Sequence, residues 1–236
     1  MTGARGRALA AVLLVIIAAA ALAITGGHRS PSQAKPRLAL VTSLPIVLGE
    51  DFSVTGNGSP ALTALSARFR VTPISTTSSE ELAKVRLLLM AQPQAQTPEN
   101  LVALDEWMRA GGRLLLLADP LLEWPSKRLL GDPLRPSPMF VDTGLLAHWG
   151  LRLDAPDRRG PAARSLAGYR IVTVSPGALY GRCAISDDRL VADCRIGKGR
   201  AIIVADADLL DSADLGAEAK DNLRAATQEL AELANR

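Results

Sequence analysis

Residues 85–120 restrict the fold of this chain more than any other stretch. Val85-Arg86-Leu87-Leu88-Leu89-Met90-Ala91 and Arg113-Leu114-Leu115-Leu116-Leu117-Ala118 are two near-continuous apolar runs. Strands buried on both faces read this way, and an amphipathic helix between them makes the unit a parallel βαβ crossover. The helix is punctuated at both ends: Thr97 is placed to cap it, Pro98 fits its first turn, and Gly111-Gly112 ends it. Leu101, Leu104 and Met108, with Trp107 beside them, form the stripe that would lie on the sheet.

The same alternation continues on either side. Arg37–Thr42 reads as a first strand, followed by a long loop over Ser43–Gly58. Ser59 and Pro60 open a helix to about Ala67, and Phe69–Ile74 is a short strand whose Pro73 places it toward an edge. Thr77–Ala83 suits a short helix opened by Ser78 or Ser79. Residues 120–168 carry seven prolines and little periodicity, so they read as an irregular excursion broken by one helix, Asp142–Trp149. Beyond it, Tyr169–Val174 and Arg200–Ala205 read as strands and Ala217–Ala234 as the closing helix. The expected class is α/β, a mainly parallel sheet with helices on both faces plus a β-hairpin.

The N-terminus carries a second strong pattern. Ala8–Ile24 is an uninterrupted apolar run of 17 residues behind Arg5 and Arg7. As a helix it spans about 25 Å, slightly less than a bilayer core, and its basic flank keeps that end in the cytoplasm. The competing reading is a cleaved signal peptide with Ala21-Leu22-Ala23 as its processing site. Either way the body is exported. The expected organisation is an inner-membrane segment at 1–27, a linker at 28–36 and a periplasmic domain at 37–236, single-pass if the segment is retained.

Net charge is +3, with four basic residues before Pro36, so residues 36–236 carry −1. Such a balance offers no basic footprint for nucleic acid, and 3% aromatic content gives few stacking platforms. Two cysteines, Cys183 and Cys194, flank an expected hairpin. A two-residue loop at Asp188-Arg189 pairs positions summing to 377, which aligns the cysteines for a disulfide; a turn at Asp187-Asp188 offsets them. With two cysteines and no neighbouring histidine, no zinc set closes.

Ligands in parallel sheets sit beyond the carboxyl ends of the strands. There stand Gln92-Pro93, Asp119-Pro120 and Asp206-Ala207-Asp208. Asp119, Asp206 and Asp208 have the chemistry to hold a divalent cation, a polar ligand or a partner, and equally the chemistry to cap helices and turn the chain. No G-x-S-x-G or G-x-C-x-G elbow occurs. Ser175 follows a strand but precedes Pro176-Gly177, and His148 is the one histidine available to a triad, His28 lying in the linker. Gly197-Lys198-Gly199-Arg200 precedes a strand instead of following one, so it reads as a turn and not a phosphate loop. Trp124, in the excursion, would either anchor a partner or pin its own loop.

Thr97–Pro120 and Gly197–Leu210, with Asp105 and Trp107, Gly111-Gly112-Arg113, Gly199-Arg200, Asp206, Asp208 and Asp221-Asn222-Leu223, resemble a known family. It is the periplasmic auxiliary domain of gliding-motility-type ABC transport systems, within the class I glutamine-amidotransferase-like superfamily. Residues 120–168 show no such match. The resemblance implies a flavodoxin-like sheet, association with ABC transporter subunits and a catalytically degenerate site, since the superfamily's cysteine elbow and histidine–glutamate pair have no counterpart here; no cofactor is expected. The expected function is a non-enzymatic, membrane-anchored accessory or binding subunit. A periplasmic hydrolase with an unconventional site, using the aspartates or His148, and a soluble periplasmic receptor for a small solute are the rivals.

Overall fold

The computed structural model describes residues 34–49, 58–129, 131–213 and 215–235. Everything described below belongs to one unit, Lys35–Arg236. The predicted membrane segment and His28 lie outside the described residues. Among the described residues no helix is long and apolar enough to cross a membrane.

The βαβ unit forms as its sequence dictates. Strand β1 is Arg37–Thr42, helix α1 Pro60–Arg68, β2 Arg70–Pro73, α2 Ser79–Leu82, β3 Leu87–Ala91, α3 Pro98–Ala110 and β4 Arg113–Leu117. β3 and β4 pair in parallel, Leu87 opposite Arg113 through Ala91 opposite Leu117. The Thr97 side chain accepts from the Asn100 N–H, Pro98 sits in the first turn, and Gly111 closes α3 at φ 119°. Leu104 and Met108 are buried, whereas Leu101 is half-buried and Trp107 donates its indole N–H to the Val85 carbonyl at 3.0 Å. Gly112 is required beside that ring, because a Cβ there would lie 2.3 Å from it.

The chain continues with α4 (Leu145–His148), β5 (Leu151–Asp154), β6 (Pro161–Leu166), β7 (Tyr169–Val174), β8 (Ala178–Gly181), β9 (Ala184–Ile185), β10 (Val191–Ile196), β11 (Gly199–Val204), a 3-10 turn at Asp208–Leu210 and α5 (Ala219–Asn235). The main sheet has the order β2-β1-β3-β4-β11-β10-β9. β2, β1, β3, β4 and β11 run parallel, and β10 and β9 are antiparallel additions. β1 leads to β2 on one side while β3 leads to β4 on the other, so right-handed crossovers put α1 and α3 on opposite faces. β2 is the edge strand that its Pro73 implied.

Residues 120–168 depart from expectation. Two strands form there, β5 paired with β8 and β6 with β7, each pair antiparallel and outside the main sheet. β6 lacks β-branched residues, and its pairing is set by the Ala167-Gly168 turn, where both residues have positive φ (49° and 79°). An alanine in that conformation is uncommon, which hid the hairpin. The predicted helix Asp142–Trp149 shrinks to α4 because the Asp142 carboxylate accepts from the N–H groups of Gly144 and Leu146, holding a turn first.

The cysteine hairpin reconciles both expected turns. Arg189 N–H donates to Ser186 C=O at 2.8 Å, so Asp187 and Asp188 are the central residues. Arg189, at φ 59°, then adds one left-handed residue and restores the register Ile185 opposite Ala192 and Ala184 opposite Asp193. Cys183 and Cys194 form a disulfide with their Cα atoms 4.8 Å apart.

Candidate functional site

The carboxyl ends of the parallel strands gather the residues the sequence singled out, and turn them inward. Asp119, after β4, accepts from Leu121 N–H (2.8 Å) and across the sheet from Ala207 N–H (2.9 Å). Asp206, after β11, accepts from Leu209 N–H (2.7 Å) and from Val174 N–H at the end of β7 (3.0 Å). Asp208 accepts from Glu123 N–H at 2.9 Å, fastening the start of the excursion. Each carboxylate therefore satisfies backbone donors where the chain leaves a strand, and all three are buried.

Crowding three carboxylates out of water has a cost. Burial pushes the Asp119 carboxyl up to about 6, against the pull of its backbone donors. Burial raises Asp208 to about 7, with the charges of Asp119, Asp211 and Glu123 adding to it. Asp206 is held well above the usual carboxylate range by burial first and by Asp119 and Asp208 next. Among the described residues no group of three or more His, Cys, Asp or Glu side chains is arranged to hold a metal ion.

Gln92 follows β3 at φ 43°, the one non-glycine residue after a parallel strand with positive φ among the described residues. A strained turn at this place is where a strand–turn–helix elbow displays a nucleophile. Here the side chain is an amide, and it is buried: Oε1 accepts from Asp119 N–H (2.9 Å), and Nε2 donates to the Asp119 and Ser137 carbonyls (both 3.1 Å). Ser175, also left-handed at φ 49°, donates to Glu123 Oε1 at 2.6 Å and accepts from Gly160 N–H at 2.8 Å. It pins the end of β7 to the start of the excursion at Glu123 and to Gly160 just before β6.

Asn222 on α5 does similar work. Its amide copies a strand edge, accepting from Val172 N–H (2.9 Å) and donating to the Val172 (2.7 Å) and Leu209 (3.1 Å) carbonyls. The sequence marked Asn222 by resemblance; its role needed the position of β7. His148 is exposed and remote from the aspartates, its Nε2 being 3.4 Å from Asp105 Oδ1. Asp105 is instead a structural acceptor for Arg109 (2.6 Å) and for the Trp149 indole (2.9 Å). Burial opposes its ionisation, yet those bonds hold its carboxyl below the usual range. The Gly197–Arg200 segment is the turn expected: a Cβ on Gly199 would lie 2.1 Å from the Met108 carbonyl oxygen.

An open cleft lies at this end. β1 is the point from which the strand order runs both ways, and a cleft of about 370 Å³ lies beyond it, walled by Thr42, Ser43, Leu48, Gln94, Gln96 and Leu134 among others. Ser43 is fixed there, with Oγ and N–H both donating to the Gln92 carbonyl (2.5 and 3.3 Å). Such a switch point is the usual ligand crevice of open parallel sheets.

Comparison with solved structures finds the same fold within larger chains. A β-galactosidase from Rahnella sp. R3 superposes with TM-score 0.50 at 13% identity, over 85% of this chain and 32% of that one. A β-galactosidase from Bacillus circulans sp. alkalophilus gives TM-score 0.50 at 12% identity, over 87% and 32%. An exo-β-1,4-mannosidase from Opitutaceae bacterium strain TAV5 gives 0.46 at 16%, over 85% and 35%. The chain thus spans about a third of these proteins, and the likeness to the two β-galactosidases concerns fold alone. No curated protein matches the chain. A family model does match, over residues 35–156. It runs through α4 and β5, into the stretch where no resemblance was expected, and stops before Gly197–Leu210, where one was. On that match, the chain belongs to the ABC-transporter auxiliary family, described as an ABC-type uncharacterized transport system.

Proposed function

We propose that this chain is a non-enzymatic periplasmic accessory subunit of an ABC-type envelope transport system, held to the inner membrane by residues 8–24. The family match over residues 35–156 carries the reading. The chemistry of the strand ends supports it: Asp119, Asp206, Asp208 and Gln92 are spent on backbone hydrogen bonds, and a buried amide occupies the strained turn after β3. On this reading the domain is a catalytically degenerate member of the class I glutamine-amidotransferase-like superfamily. The surface it offers to transporter subunits is the excursion, where Leu129, Leu134, Met139 and Val141 are 81%, 56%, 56% and 43% exposed within thirteen residues.

The cleft beyond β1 favours a second reading, a receptor for a small polar solute lined by Ser43, Gln94 and Gln96. Purification of the full chain from detergent-solubilised native membranes separates the two. An ABC permease or ATPase subunit co-purifying in stoichiometric amount supports the accessory role. A chain recovered alone with a bound solute supports the receptor.

A further inference from the structure

The parallel strands begin on arginine. Arg37 opens β1, Arg70 opens β2, Arg113 opens β4, Arg86 directly precedes β3 and Arg200 is second in β11. Arg37 lies opposite Arg70. The β1–β3 register, Ala39 opposite Leu88, brings Arg86 level with Arg37 two residues earlier. Arg70, Arg37 and Arg86 therefore form a row along the strand starts, the first two paired about 5 Å apart and Arg86, just ahead of β3, lining one cleft with Arg37. All three are exposed, and none has a carboxylate partner among the described residues. Like charges side by side on neighbouring strands destabilise a sheet. Among the described residues no carboxylate pairs with the row to offset that cost.

Cations also collect at this end of an α/β fold to complement helix C-termini. That accounts for Arg113, whose guanidinium donates to the carbonyls of Gly111 (2.9 Å), Gly112 (3.3 Å) and Lys198 (3.2 Å). It does not extend to the row, whose side chains make no such bonds among the described residues. Around the row, a cleft of about 520 Å³ is lined by Arg37, Lys84, Arg86 and Arg113 and, among the described residues, by no carboxylate. A smaller cleft beside it adds Arg70 and one acid, Glu81, which is paired with Lys84 at 3.2 Å. Neither contains an aromatic ring on which a base would stack.

The chain enters the domain at this rim. Lys35 and Pro36 lead straight into Arg37, and residues 28–36 alone separate it from the predicted membrane segment, a reach of about 30 Å at full extension. We propose that the strand-start rim docks on anionic lipid headgroups of the membrane that holds the N-terminal segment. The arginine row faces the phosphates, which guanidinium groups bind in bidentate fashion. The carboxyl ends of the strands, at the opposite end of the sheet, are then turned away from the bilayer. This orientation rests on the anchored reading of residues 8–24.

The test uses the full chain reconstituted into vesicles of phosphatidylcholine alone and of phosphatidylcholine with an equal part of phosphatidylglycerol, read by amide hydrogen exchange. Segments around Arg37, Arg70 and Arg86 are expected to exchange more slowly in the anionic vesicles, and high salt is expected to remove the difference. Each arginine neutralised in an R37Q/R70Q/R86Q series should weaken docking about fivefold, while R158Q/R159Q on the excursion should leave it unchanged. Equal exchange in the two vesicles overturns the proposal, as does equal protection by inorganic phosphate without anionic lipid. A chain washed from the vesicles by alkaline carbonate refutes the anchor instead, so the two failures are distinct. If the triple variant misfolds, the lipid and salt dependence of the unmodified chain decides.

Discussion

Asp208→Asn should flatten the dependence of stability on pH. In the folded protein the Asp208 carboxyl is raised from 3.8 to about 7, mainly by burial. A carboxyl raised in the native state contributes its full stability below its unfolded value, about pH 4, and loses it as pH rises through about 7. A shift of about three units corresponds to about 4 kcal/mol at most, and to about 2 kcal/mol once partial screening by solvent is allowed. Asparagine keeps an oxygen that accepts from Glu123 N–H (2.9 Å to Asp208 in the native protein) and cannot ionise. The loss from a weaker, neutral hydrogen bond is about 1 kcal/mol. Urea unfolding of residues 35–236, followed by tryptophan fluorescence between about pH 4 and pH 8, should show the unmodified chain losing about 2–4 kcal/mol more than D208N across that range. Parallel curves would refute the reasoning, since they would mean the carboxylate is solvated and not held under the excursion.

The other expectations concern positions where the structure assigns a single physical role. Asn222→Ala removes three hydrogen bonds that tie α5 to β7 and the 3-10 turn, and should cost about 2–4 kcal/mol in the same unfolding assay. Asn222→Asp should be worse, because it supplies no donor to the Val172 and Leu209 carbonyls. Gly199→Ala forces a Cβ to 2.1 Å from the Met108 carbonyl oxygen, so β11 or the end of α3 must shift; a loss above about 3 kcal/mol is expected by thermal unfolding. The Cys183–Cys194 bridge closes a loop of sequence separation 11. Replacing both cysteines by serine should cost about 3 kcal/mol and abolish any effect of reductant on the melting temperature.

The parallel core was legible because its signals are local. Thr97-Pro98, Gly111-Gly112 and the leucine runs around α3 encode their own structure, and each falls within two residues of its expected limits. β6 was not legible: Pro-Ala-Ala-Arg-Ser-Leu is a strand only because the Ala167-Gly168 turn brings β7 alongside it. The aspartates were found by the rule that function collects at strand ends. Their use is decided by N–H groups far along the chain, such as Ala207 for Asp119 and Val174 for Asp206, and no spacing in the sequence announces those partners. The arginine row was obscured for a different reason. A net charge of −1 over residues 36–236 averages the basic strand starts with acids elsewhere, and only the sheet order assembles Arg70, Arg37 and Arg86 side by side.

A photoreactive amino acid placed at Leu134 or Met139, both on the exposed apolar part of the excursion, tests the accessory role most directly. Irradiation of intact cells followed by mass spectrometry of the crosslinked product should identify the periplasmic part of a permease subunit of an ABC transporter. The same probe at exposed Lys220 on α5 should give no such product. Excursion probes that yield only uncrosslinked chain in the membrane fraction would contradict the account.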